Sequence, residues 1–129
     1  MGINPAIGRC NPTAPVVRLD PPEEGRVSGT VRFGLAHVGP PYRAHGGIIA
    51  SVFDQVLGVA NIASGAAGMT KTITVTYHRA TPIRTDLRVE GTCVGSEGRV
   101  SHASGVIYDE DGRPTAEAEA TFVRPRTPV

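Results

Sequence analysis

The stretch Gly46–Met69, GGIIASVFDQVLGVANIASGAAGM, decides the fold. Ile48, Ile49, Val52, Phe53, Val56, Leu57, Val59, Ala60, Ile62 and Ala63 cover nearly every face of a helix. A helix that is apolar all round is one wrapped by other structure. Asp54, near its middle, would be costly in lipid, so the segment reads as a helix buried in protein rather than a membrane span. His45-Gly46-Gly47 opens the helix, and Gly65–Gly68 ends it.

Downstream of this stretch the hydrophobic period changes from helical to two. Thr70–Arg79 reads as a strand with Ile73, Val75 and Tyr77 on one face and Thr70, Thr72, Thr74 and Thr76 on the other. Leu87–Val94, Val100–Tyr108 and Thr115–Val123 are further strands, with a tight turn at Gly95–Gly98 and a hairpin signal at Asp109-Glu110-Asp111-Gly112. Upstream, Arg26–Phe33 alternates, with Val27, Gly29, Val31 and Phe33 pointing one way, and Leu35–Ala44 is a loop. Residues 1–24 form a proline-rich lead-in with at most one short strand at Val16–Leu19. The expected layout is this lead-in, one domain over residues 25–124, and a tail at 125–129. Helix and strands are segregated along the chain, which predicts the α+β class. One apolar helix beside one sheet of about five to six strands predicts a sheet that curls round the helix.

Composition narrows the function. The chain has 129 residues and a formal net charge of +1, which argues against a nucleic-acid binder and its concentrated basic excess. Two cysteines, Cys10 and Cys93, are too few for a disulfide framework and read as reduced thiols. No basic start followed by an apolar run marks the N-terminus as a secretory signal, so a cytoplasmic protein is expected. The four histidines have no zinc-ligand spacing, so no metal is expected.

Chemistry centres on the helix. Between Arg43 and Lys71 only His45 and Asp54 are ionisable. A desolvated carboxylate is costly unless it is paired or used. Asp54 is therefore either functional or an Asp at a dimer seam, bonded to backbone, Gln55 or Asn61. Gly46 and Gly47 leave N–H groups uncovered at the positive end of the helix dipole, a place suited to a developing oxyanion. Alternatively they only permit a sharp turn into the helix. Thr70 lies at the strand entry, where it could face the helix.

Gly39-Pro40-Pro41-Tyr42-Arg43-Ala44-His45-Gly46-Gly47, with Asp54 nine residues after the His, resembles the hotdog-fold acyl-CoA thioesterases. The resemblance is to the branch of the phenylacetate-pathway thioesterase and its animal relatives. It continues through Asn11-Pro12, Thr70 and Thr74-x-Thr76-Tyr77. It implies a long central helix wrapped by a curved antiparallel sheet, and hydrolysis of an acyl-CoA with no cofactor. By position, Asp54 is implied as the catalytic carboxylate, acting as base or as nucleophile. Gly46 and Gly47 are implied as oxyanion donors, His45 as the group that orients the thioester or assists the leaving thiolate, and Thr70 as the residue that positions water. Many members carry an Asn six residues before the His, where this chain has Gly39. Arg79, Arg84 and Arg43 are candidates for the CoA phosphates, or else ordinary surface arginines. A non-catalytic acyl-CoA-binding or sensing protein is the alternative of another class, and a hotdog dehydratase or hydratase is a third.

Gly46 and Asp54 are eight residues apart, about 12 Å along a helix axis. One acyl carbon cannot touch both. The expected assembly is a homodimer whose sites are shared between subunits; the resemblance implies the same arrangement, often with the dimers pairing into a dimer of dimers.

Overall fold

In the computed structural model the described residues are 15–34, 38–39, 43–66 and 68–125. Asn11-Pro12, Cys10, His37, Pro40–Tyr42 and the last residues of the tail lie outside them. The elements in chain order are β1 (Val16–Leu19), β2 (Arg26–Arg32), β3 (Val38–Gly39), β4 (Arg43–Ala44), α1 (Gly46–Ala63), β5 (Met69–Tyr77), β6 (Asp86–Glu97), β7 (Val100–Tyr108) and β8 (Pro114–Val123). Six strands form one sheet in the order β1-β2-β6-β7-β8-β5, with every neighbouring pair antiparallel. β3 and β4 pair separately, inside the segment expected to be loop.

The alternation read in the sequence becomes the inner face of this sheet. Val27, Gly91, Gly105, Ala118 and Val75 lie side by side across β2, β6, β7, β8 and β5. The two glycines at the middle of this row set how close the helix comes. A Cβ on Gly105 would lie 2.9 Å from Leu57 Cδ2 and from the Glu90 carbonyl, and one on Gly91 would lie 3.0 Å from Val56 Cγ1. Without those Cβ atoms, α1 sinks into the sheet. Ile49, Val52, Phe53, Val56, Leu57 and Ala60 are buried there with Phe33, Leu87, Val89, Ile107 and Phe122. Each large side chain so buried contributes about 1.5–3 kcal/mol. Asn61, the one buried polar side chain of the helix, accepts from Ser101 Oγ at 2.6 Å. The α+β class and the helix held in a curved antiparallel sheet agree with the sequence reading.

Three details differ from it. The helix, expected to be covered on all sides, is covered within this chain on one: Ile62 is 69% exposed, and Ile48 and Val59 are half-buried. β6 runs past the expected turn to Glu97, because a bulge between Cys93 and Gly95 absorbs one residue and lets pairing with β7 resume. The turn then falls at Gly98-Arg99, where Gly98 has φ of +60°. β5 stops at Tyr77, two residues short of Arg79, and lies at one edge of the sheet.

Candidate active site

The helix entry is built by His45. It is the N-cap residue, with extended backbone (φ −66°, ψ 135°). Its Nδ1 accepts the Gly47 N–H at 3.0 Å, while its carbonyl accepts from Ile48 and Ile49 at 3.1 Å each. An imidazole whose Nδ1 accepts a backbone N–H carries its own proton on Nε2 when neutral. His45 therefore presents an Nε2–H donor. The two glycines expected to act alike differ. The Gly47 N–H is taken by His45, whereas the Gly46 N–H has no acceptor among the described residues. The open donor thus sits at the positive end of an 18-residue helix.

Asp54, two turns further on, is half-buried on the side of α1 toward β5. Thr70 Oγ1 donates to Asp54 Oδ1 at 2.8 Å. The strand alternation alone would point Thr70 outward with Thr72, Thr74 and Thr76. The register explains why it points inward: Thr70 lies opposite Phe122 and Thr72 opposite Thr121, so two residues of β5 oppose one of β8. The extra residue is Lys71. The bulge turns Thr70 to the helix side, alongside the buried Phe122, a re-aiming for which bulges are known.

Tyr77, at the other end of β5, joins the site without having been singled out from the sequence. Its Oη donates to the Gly46 carbonyl at 2.6 Å. A Cβ on Gly46 would lie 3.1 Å from that Oη, so this glycine admits the ring. Burial holds the phenol above its usual pKa, which keeps it protonated and donating. Its signals in the sequence were its place in the Thr74-x-Thr76-Tyr77 stretch of the resemblance and an amphipathic ring at a strand end, apolar in body with a polar tip.

The loop after β5 is tied to the helix entry. The Ala44 N–H donates to the Thr81 carbonyl at 2.9 Å, and the buried Thr81 hydroxyl donates to Thr115 Oγ1 at 3.0 Å. Arg79 and Arg84 lie on this loop, exposed and with no carboxylate partner among the described residues. The Arg84 backbone is in the left-handed region (φ 59°), and its N–H donates to the Phe33 carbonyl at 2.6 Å. Arg43 sits in β4, two residues before His45. Its side chain lies outside the described part. One chain thus brings Asp54 to Thr70, and His45, Gly46 and Tyr77 to one another. The helix keeps the two groups about 12 Å apart.

The sequence pattern of the thioesterase superfamily matches residues 43–116, from β4 into β8. Over 102 residues, 78% of this chain, the sequence is 31% identical to acyl-coenzyme A thioesterase THEM4 of Mus musculus, and the match spans 44% of that protein's length. A crystal structure of a thioesterase superfamily protein superposes with a TM-score of 0.86 at 39% identity, covering 94% of this chain and 63% of that one. A hypothetical thioesterase from Streptococcus pneumoniae, crystallised with coenzyme A, superposes with a TM-score of 0.78 at 23% identity, over 88% of this chain and 92% of its own. The chain belongs to the thioesterase superfamily.

Proposed function

We propose that this chain hydrolyses acyl-CoA thioesters to the free acid and CoA. The observation that carries the reading is the Asp54–Thr70 pair at 2.8 Å, its carboxylate on the same helix as an open N-terminal donor. Thr70 donates its hydroxyl hydrogen bond to Asp54, so its oxygen keeps lone pairs for a water molecule. Asp54 Oδ2 and Thr70 Oγ1 together can accept both protons of that water and aim its oxygen at the thioester carbon. Asp54 removes one proton as the C–O bond forms. The carbonyl oxygen becomes negative and is held by the Gly46 N–H and the His45 Nε2–H. The C–S bond then breaks, and the proton held by Asp54 restores the CoA thiol.

On this reading the two halves come from different subunits, which the separation of about 12 Å along the helix axis supports. Two copies packed with their α1 helices antiparallel bring Asp54 of one copy to the Gly46 end of the other. The incompletely covered helix face at Ile48, Val59 and Ile62, the edge position of β5, and the 78% exposure of Met69 support this pairing. Arg79 and Arg84, exposed on the loop tied to the helix entry, and Arg43, two residues before His45, form the rim for the CoA phosphates, since guanidinium groups suit phosphate oxygens. The relative named as an acyl-coenzyme A thioesterase, and the streptococcal structures holding coenzyme A and acetyl CoA, support the substrate class.

The test is thiol release from a panel of short, long and aryl acyl-CoAs, run beside Asp54→Asn. Wild type is expected to turn over at least one of them. Asp54→Asn is expected to lose at least about 100-fold in kcat while staying folded, since an amide is cheaper to bury than a carboxylate. No thiol release from wild type, or more than a third of its turnover in the variant, overturns the reading.

A further inference from the structure

The Gly46 carbonyl and the Gly47 N–H belong to one peptide group, and that group is held at both ends. Tyr77 Oη donates to its oxygen at 2.6 Å, and its N–H donates to His45 Nδ1 at 3.0 Å. In a helix the same carbonyl also serves the amide four residues on, so the phenol takes its second lone pair. A donor on a peptide oxygen polarises the group and strengthens its N–H as a donor. The hydrogen bonds therefore run in one direction, from the Tyr77 O–H through the peptide to the imidazole, and they leave the His45 proton on Nε2.

We infer that Tyr77 is a positioning residue that, through the Gly46–Gly47 peptide, fixes the ring orientation and tautomer of His45. This rests on the reading of His45 as a donor to the thioester oxygen, because only a proton on Nε2 can be presented to substrate while Nδ1 is engaged. Three observations converge on it. Gly46 has no side chain where one would meet the Tyr77 ring at 3.1–3.2 Å. Tyr77 is half exposed, so its hydroxyl could have been left to water, yet it turns to the helix entry. The contact joins residues 31 apart in sequence, across the end of β5 and the start of α1, so it locks the helix entry to the sheet edge.

The experiment is Tyr77→Phe, which keeps the ring and removes the hydroxyl. With an acyl-CoA that wild type turns over, kcat should fall about tenfold, the size of one hydrogen bond acting in the transition state, while KM stays within twofold. Independently of turnover, nitrogen NMR of the histidine-labelled protein should show His45 in wild type as the Nε2–H tautomer. In the variant its ring signals should shift toward a mixture of tautomers. A merely structural role for Tyr77 would lower the melting temperature without moving those signals. A variant with kcat within twofold of wild type, or a wild-type His45 protonated on Nδ1, overturns the inference. A wild type that releases no thiol from any acyl-CoA sinks the functional reading instead, and the imidazole spectra still decide this one.

Discussion

Thr70 meets Asp54 at 2.8 Å because Lys71, the residue after it, is the extra residue of a β-bulge. Deleting Lys71 takes out the extra residue and leaves Thr70, now next to the outward-facing Thr72, still opposite Phe122 on the helix side. The deletion should therefore keep kcat within about threefold of wild type, whereas Thr70→Val should lose at least about tenfold. In both proteins KM should change little. Steady-state kinetics with circular dichroism as a check on folding decides it. A deletion variant that folds and yet loses as much kcat as Thr70→Val would show that the pairing of Thr70 with Phe122 does not set its aim at Asp54.

The helix position depends equally on a residue that is small. Gly105→Val places atoms where a Cβ already lies 2.9 Å from Leu57 Cδ2 and from the Glu90 carbonyl. One of these is backbone and cannot yield cheaply. The variant should lose about 1–3 kcal/mol of stability, the usual cost of overpacking. Chemical denaturation reads this directly, and an unchanged midpoint would mean that α1 does not press on the sheet at that row.

At the β7–β8 hairpin, Asp109 has its pKa held below the usual carboxylate range, first by the Arg113 backbone N–H, then by the Asp111 backbone N–H and the Arg113 guanidinium. A lowered folded-state pKa adds stability above the unfolded value and loses it as pH falls through the folded one. Asp109→Ala should thus melt lower than wild type at pH 7, and the gap should narrow as pH drops below about 4. Melting curves of the two proteins across that range test it. A gap independent of pH would assign the effect to turn shape alone.

Much of this molecule is legible in the chain, for a physical reason that also sets the boundary. Period-two alternation at Val27–Phe33 and 87–94, and the apolar run 48–63, are local patterns that burial imposes. The lone carboxylate in that run stood out because its desolvation is costly. What remained hidden depends on partners distant in sequence. The bulge at Lys71 exists only in the register of β5 against β8, so alternation alone aimed Thr70 the wrong way. The bulge beyond Cys93 carried β6 through a stretch that reads as a turn. Tyr77 and Gly46 meet across the α1–β5 seam, and no periodicity announces such a contact. The helix face that looked too apolar to be left open is open in the single chain, because what the sequence encodes there is a surface for a second copy in the account proposed above.

That account stands most directly on subunit mixing. Gly46→Pro removes the open N–H at the first helical position, where proline costs no helix hydrogen bond and the Tyr77 ring must shift to admit it, and Asp54→Asn removes the base. Each protein should be folded and inactive alone. Mixed after exchange, about half of the dimers contain one subunit of each kind, and each such dimer has one site carrying both changes and one site carrying neither. Activity should return to roughly a quarter of wild type. If mass spectrometry shows the mixed dimers and thiol release stays at zero, Asp54 and Gly46 serve the same subunit's site and the shared-site account is wrong.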